Sequence, residues 1–96
     1  MKLFIDDERF PVEGSWEIAR SSTEAIDWVK ENGYPSFISF DHDLGGEDTS
    51  MIFIYWLIDF MLDSGTQTKI PFYVHSQNPV GKSNIEGLLG SFYGSF

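Results

Sequence analysis

Leu3-Phe4-Ile5-Asp6-Asp7-Glu8-Arg9 opens the reading. Three apolar residues with no polar alternation form a strand buried on both faces, and the acids that end it at once put charge at its carboxyl edge. Two further stretches repeat the plan. Ser36 to Phe40 is followed by Asp41-His42-Asp43-Leu44-Gly45-Gly46, and Ile70 to Val74 by His75-Ser76-Gln77-Asn78-Pro79. Between them lie helical segments. Ser21-Ser22-Thr23-Glu24 is a capping box that starts a helix to about Asn32, with Ala25, Ile26 and Val29 inward and Gly33 as its stop. Asp48 or Thr49 caps a long helix through about Asp63 that Ser64-Gly65 ends, and a last helix runs from near Lys82 to Phe92. Trp16 to Ala19 is a further strand, while the connection from the first strand to this second one holds no convincing helix.

Strands alternating with helices imply a parallel sheet covered by helices on both faces. The expected architecture is an α/β three-layer sandwich of four strands in the order 2-1-3-4, as one domain over residues 1–96. In such sheets ligands bind outside the carboxyl ends of the strands where the order reverses. The three polar clusters therefore share one crevice.

Carboxylates crowded there repel unless a counter-ion is present. A hard cation with oxygen ligands resolves the conflict, so Asp6, Asp7, Asp41 and Asp43 are the candidate ligands of Mg²⁺ or Mn²⁺. His42 and His75, the only histidines, fall in the same edge and are candidate general acids or bases. Ser76 and Asn78 are candidate phosphate donors with Lys82 beside them, and Gly45 and Gly46 let backbone approach an anion.

Composition bounds the rest. Hydrophobic residues make up 42% of the 96 positions and aromatics 17%, which argues for a folded domain. The absence of cysteine excludes disulfides and thiolate metal sites and fits a cytoplasmic setting. No signal peptide is legible at the start, and the longest apolar run, Met51 to Leu62, is too short to span a bilayer. A net charge of −9 disfavours duplex DNA and anionic membranes. The same apolar run is expected either to be a buried central helix or, with the tail Phe92-Tyr93-Phe96, to form a homodimer.

The strand and acid pair resemble those of two-component receiver domains, where the pair helps bind Mg²⁺. Asp41 matches that family's phospho-accepting aspartate, and Ser76 lies near its hydroxyl position. The fifth strand with the family's lysine has no counterpart, so the chain is a truncated receiver-like (flavodoxin-like) domain. The fuller resemblance is to the cyclic-phosphate processing receiver-like domains. Their pattern is Leu-Phe-Ile-Asp-Asp-x-Arg-x-Pro, Phe-Asp-His-Asp-Leu-Gly and Val-His-Ser-x-Asn-Pro-x-Gly, here Leu3 to Pro11, Phe40 to Gly45 and Val74 to Gly81, with Asn84 just beyond. It implies metal-assisted processing of a cyclic phosphate on a nucleotide or RNA end, with Arg9, Ser76, Asn78, Lys82 and Asn84 on the substrate side. A nucleophilic Asp41 that becomes phosphorylated is an alternative in the same site. The other class is a non-catalytic nucleotide- or protein-binding module, such as a phage-type accessory protein that sequesters a signal.

Overall fold

A computed structural model describes residues 1–96. The elements are β1 (Lys2–Ile5), β2 (Trp16–Ala19), α1 (Ser22–Asn32), β3 (Phe37–Phe40), α2 (Ser50–Ser64), β4 (Phe72–Val74) and α3 (Pro79–Gly94). All strand pairs are parallel, and the order is β2-β1-β3-β4. Sheet order, strand direction and the missing fifth strand are as the sequence indicates. No helix is long and apolar enough to cross a membrane.

The register sets what each face carries. Leu3 pairs with Glu17 and Ile38, and Ile5 with Ala19 and Phe40, while Ile38 and Phe40 pair with Phe72 and Val74. In-register neighbours share a face. This face meets Ala25 and Val29 of α1, Phe53, Ile54, Leu57 and Met61 of α2, and Ile85 and Leu89 of α3 in one buried cluster. The helical cover expected on both faces is therefore gathered on one. Handedness explains it. The crossovers β2-α1-β3 and β3-α2-β4 advance across the sheet in the same direction, so right-handed connections lie on the same side. The β1-to-β2 connection runs the other way and belongs on the opposite side, and residues 6–15 contain no helix.

Local signals set the ends of the helices. Ser21 Oγ accepts from Glu24 N–H at 3.1 Å, whereas the Glu24 carboxylate accepts from Arg20 N–H, one residue before the cap. Asp48 does not cap α2. It reaches α1, taking Ser22 N–H at 2.9 Å and the Ser22 hydroxyl at 2.5 Å, and Thr49 is the N-cap residue of α2. The last helix starts three residues before Lys82, because Asn78 Oδ1 accepts from Gly81 N–H at 3.0 Å and Pro79 occupies the first turn, where no N–H is needed. β4 is shorter than expected. Pro71 offers no N–H to the ladder, and the backbone N–H and C=O of Ile70 are both taken by the Tyr93 hydroxyl, at 3.1 and 2.9 Å. α2 buries one side and leaves Ile52, Tyr55 and Leu62 exposed.

Candidate functional site

β1, β3 and β4 end side by side, and their following residues enclose a cavity of about 560 Å³. Ten residues line it: Asp7, Glu8 and Arg9 after β1; Asp41, Asp43, Gly45 and Gly46 after β3; Ser76, Gln77 and Asn78 after β4. None is hydrophobic, so the cavity suits a charged or strongly polar ligand of small-molecule size. Gly45 and Gly46 have φ of 94° and 57°, a conformation that side chains rarely adopt. A Cβ on Gly45 would sit 3.6 Å from Asp7 Oδ2, which shows how closely this backbone borders the carboxylate.

The two acids of the pair have different surroundings. Asp6 is fully buried and accepts four hydrogen bonds. Oδ1 takes the backbone N–H of Glu8 (3.0 Å) and Arg9 (2.8 Å), and Oδ2 takes Arg9 Nε–H (2.9 Å) and His75 Nε2–H (3.0 Å). Burial alone would raise its pKa. The two backbone donors, His75 and the Arg9 guanidinium outweigh that and hold the carboxyl below its ordinary range. Asp7 is exposed and its carboxylate has no hydrogen-bond partner in the protein. The Asp41 carboxylate accepts from His42 N–H at 2.9 Å through Oδ1, and Arg9 Nη2 lies 3.2 Å from Oδ2. Arg9 thus bridges Asp6 and Asp41 as an internal counter-ion. Its own burial disfavours the charge, but the two carboxylates more than compensate and raise its pKa.

One oxygen from each of Asp6, Asp7 and Asp41 lies within 4.8 Å of the others. A donor set made of carboxylate oxygens fits a hard divalent cation, for which one or two carboxylates and retained waters suffice. Asp7 and Asp41 have capacity left, while Asp6 has used the roughly four acceptor positions a carboxylate offers. Asp43 stands outside this trio. Its Oδ1 accepts from His42 Nδ1–H and its Oδ2 from Asn78 Nδ2–H, both at 3.2 Å, and these two donors lower its pKa.

Neither histidine lines the cavity. His75 projects to the sheet face opposite the helices. Its ring stacks on Phe4 with centroids 4.6 Å apart and planes 5° from parallel, and its Nδ1 pairs with Ser39 Oγ at 2.7 Å. With Nε2 on Asp6, both nitrogens are engaged. His42 packs against α3 so closely that a Cβ on Gly81 would lie 2.4 Å from its Cγ. Lys82 and Asn84 are also absent from the lining; Lys82 Nζ sits 6.0 Å from the Tyr73 ring centroid, and Asn84 is exposed on α3. The structure therefore joins Asp7, Arg9, Asp41, Asp43, Ser76 and Asn78 around one space. Asp6 lies beneath Arg9, and the other four lie outside. Ser76 Oγ accepts from Asn78 N–H at 3.1 Å, which leaves its hydroxyl proton for a ligand.

A match to a family model fits this arrangement of residues. The model for the cyclic-phosphate processing receiver domain covers residues 1–91. The chain belongs to that family. No curated protein and no solved structure gave a match. At the level of the family, this is a receiver domain associated with cyclic-phosphate processing, and the three motifs that carry the resemblance are the three walls of the cavity.

Three contributors were not legible as site residues. Glu8 and Gln77 line the cavity from within clusters already noted for polarity. Arg20 acts through space: Nη1–H donates to the carbonyls of Asp6 (3.1 Å) and Arg9 (2.5 Å), and its guanidinium lies 4.6 Å from the Phe10 ring centroid. It pins the helix-free connection that supplies one wall, and no local pattern marks it.

Proposed function

We propose that this domain binds the cyclic phosphate of a nucleotide or RNA end in the cavity and hydrolyses it. The observation that carries the reading is the wholly polar cavity in which a guanidinium, a hydroxyl and glycine backbone face two incompletely used carboxylates. Asp7 and Asp41 would hold Mg²⁺ or Mn²⁺, with Asp6 behind them. The metal would supply charge neutralisation at the phosphoryl group and water activation. Arg9, lining the cavity while tethered to Asp6 and Asp41, binds phosphoryl oxygens through its remaining N–H groups, and the Ser76 hydroxyl donates to another. Water adds to phosphorus, one P–O ester bond breaks, the water's proton ends on the freed sugar oxygen, and a phosphomonoester with a free hydroxyl results. Glu8, which lines the cavity and whose carboxylate has no hydrogen-bond partner in the protein, would take the proton of the attacking water. His75 acts as a positioning residue, orienting Asp6 and through it Arg9.

The location of both histidines away from the cavity favours one further reading, a module that binds the cyclic phosphate without turning it over. A panel of 2′,3′-cyclic and 3′,5′-cyclic nucleotides and cyclic-phosphate RNA ends, incubated with Mg²⁺ or Mn²⁺, separates the two. Hydrolysis that Asp41→Asn and Arg9→Gln abolish supports the enzyme. Binding of intact ligand with no product, lost in the same variants, supports the module, and no binding of any panel member refutes both.

A further inference from the structure

Arg9 is the only cation among the ten residues that line the cavity, against four acids, Asp7, Glu8, Asp41 and Asp43. Other basic groups are committed elsewhere: Arg20 Nη1 to the carbonyls of Asp6 and Arg9, and Lys82 outside the lining beside Tyr73. Two demands therefore fall on one guanidinium. In the protein alone it neutralises carboxylates, with Nε on Asp6 Oδ2 at 2.9 Å and Nη2 on Asp41 Oδ2 at 3.2 Å. A phosphoryl group in the cavity needs the same N–H groups. The two attachments are unequal. Asp6 is fully buried, its Oδ1 holds the Arg9 backbone N–H at 2.8 Å, and Arg20 holds the Arg9 carbonyl at 2.5 Å. Nη2 makes the longer contact, on an oxygen with no other partner in the protein, and the Arg9 side chain is 42% exposed. Arg9 can thus turn about its Nε anchor, giving up Asp41 while keeping Asp6.

We propose that Arg9 makes the cavity take a divalent cation and a phosphoryl group together, by exchanging Asp41 for the phosphoryl oxygens when the cation takes its place on Asp7 and Asp41. The proposal rests on the reading of the cavity above and adds how its two ligands depend on each other. One oxygen from each of Asp6, Asp7 and Asp41 lies within 4.8 Å of the others, so a cation held there shares Asp41 with the guanidinium. Like charges that close repel, and a guanidinium cannot shed its proton to relieve the repulsion. Arg9 therefore opposes a cation bound alone. An anion beside the cation reverses this, because Nη2 then has an acceptor away from the Asp41 oxygen. The anion alone fares no better, since four acids line its space and the one guanidinium is in use. Each ligand favours the arrangement that the other needs, and by linkage each tightens the other by the same factor.

Calorimetric titration of Mn²⁺ into the whole chain, alone and with saturating 2′,3′-cyclic AMP or inorganic phosphate, tests this through binding and not turnover. In the parent, the anion should tighten Mn²⁺ by about tenfold or more, within the usual range of coupling between sites, and Mn²⁺ should tighten the anion equally. Arg9→Gln should bind Mn²⁺ alone about tenfold more tightly than the parent, a conservative share of the repulsion lost with one unit charge, and should gain clearly less from the anion. Arg9→Lys keeps the charge and should bind Mn²⁺ alone as weakly as the parent. Circular dichroism sets a temperature at which each chain is folded. The exchange is overturned if Arg9→Gln binds Mn²⁺ alone no more tightly than the parent, if Arg9→Gln and Arg9→Lys bind it equally, or if the anion helps Arg9→Gln as much as the parent. A parent whose Mn²⁺ affinity neither anion changes overturns it as well, and that result needs no variant to fold. The cyclic-phosphate reading is tested apart from this: if inorganic phosphate tightens Mn²⁺ through Arg9 while 2′,3′-cyclic AMP and the rest of the panel do not bind, the exchange stands and that reading falls.

Discussion

Replacing Asp6 by asparagine should cost far more stability than the same change at Asp7, its neighbour. Asp6 is fully buried and accepts four hydrogen bonds, two through each oxygen. Asparagine keeps one oxygen for the Glu8 and Arg9 backbone N–H groups, but its NH₂ then faces Arg9 Nε–H and His75 Nε2–H, donor against donor. The side chain of His75 is only 16% exposed and cannot readily find water, so that loss is worth about 1.5–3 kcal/mol. The side chain of Arg9 is 42% exposed and hydrates easily, which limits its share to about 1 kcal/mol or less. The sum, about 3 kcal/mol, corresponds to a fall in melting temperature of roughly 12–24 °C in a domain of this size. Asp7→Asn, exposed and without partners, should stay within about 0.5 kcal/mol of the parent when no divalent ion is present. The pH dependence adds a second readout. The carboxyl of Asp6 is lowered in the fold, so its contribution is complete above the unfolded value near pH 4 and drains away as pH falls through the lower folded value. The gap between parent and Asp6→Asn should therefore be widest at neutral pH and shrink below about pH 4. Thermal melts by circular dichroism from pH 3 to 7, in chelator, measure all of this. An Asp6→Asn variant within a few degrees of the parent at pH 7, or a gap that widens on acidification, would refute the reasoning.

Saturating Mg²⁺ or Mn²⁺ at a hundred times its Kd should stabilise the parent by about 2.7 kcal/mol beyond the effect of matched monovalent salt. Asp7→Asn and Asp41→Asn should each remove that increment in differential scanning fluorimetry; an unchanged shift in both would exclude them as ligands. Gly81→Ala places a Cβ 2.4 Å from His42 Cγ, so the imidazole or α3 must move, and urea denaturation should register a loss of about 1–3 kcal/mol. Arg20→Ala should free the connection between β1 and β2, seen as faster hydrogen exchange over residues 6–15, with α3 unaffected; uniform exchange changes would refute its role as a local pin.

Much of this was open to sequence reading because each strand announces itself twice, by an unbroken apolar run and by the polar cluster that ends it. Leu3 to Ile5 and Asp6-Asp7 are the clearest case, and parallel order follows from the lengths between such runs. What escaped was set through space. Asp48 sits where an N-cap of α2 belongs but is drawn to the two donors of Ser22, 26 positions earlier. Arg20 has no local signature, because the carbonyls it binds lie 11 and 14 positions away. Both histidines belong to the edge that the sequence indicates, but neither lines the cavity: strand alternation puts His75 in phase with Tyr73, on the side of Phe4 and Ser39, and Ser39, the lone polar residue inside β3, is the signal for that contact. The one-sided helical cover was foreshadowed by the missing helix between β1 and β2.

The central position of β1 has a consequence for how the protein comes into being. Residues 2–5 are made before both of their sheet neighbours, residues 16–19 and 37–40, and the cavity needs residues 76–78 as well. Helices can form early from local contacts, but each strand pairing must wait for a distant partner, which slows folding. No nascent or clipped chain that lacks the β4 end can assemble the ligand site. Under the proposed function, affinity for a cyclic phosphate would report a domain complete through β4, and the ligand would draw only finished molecules into the bound state.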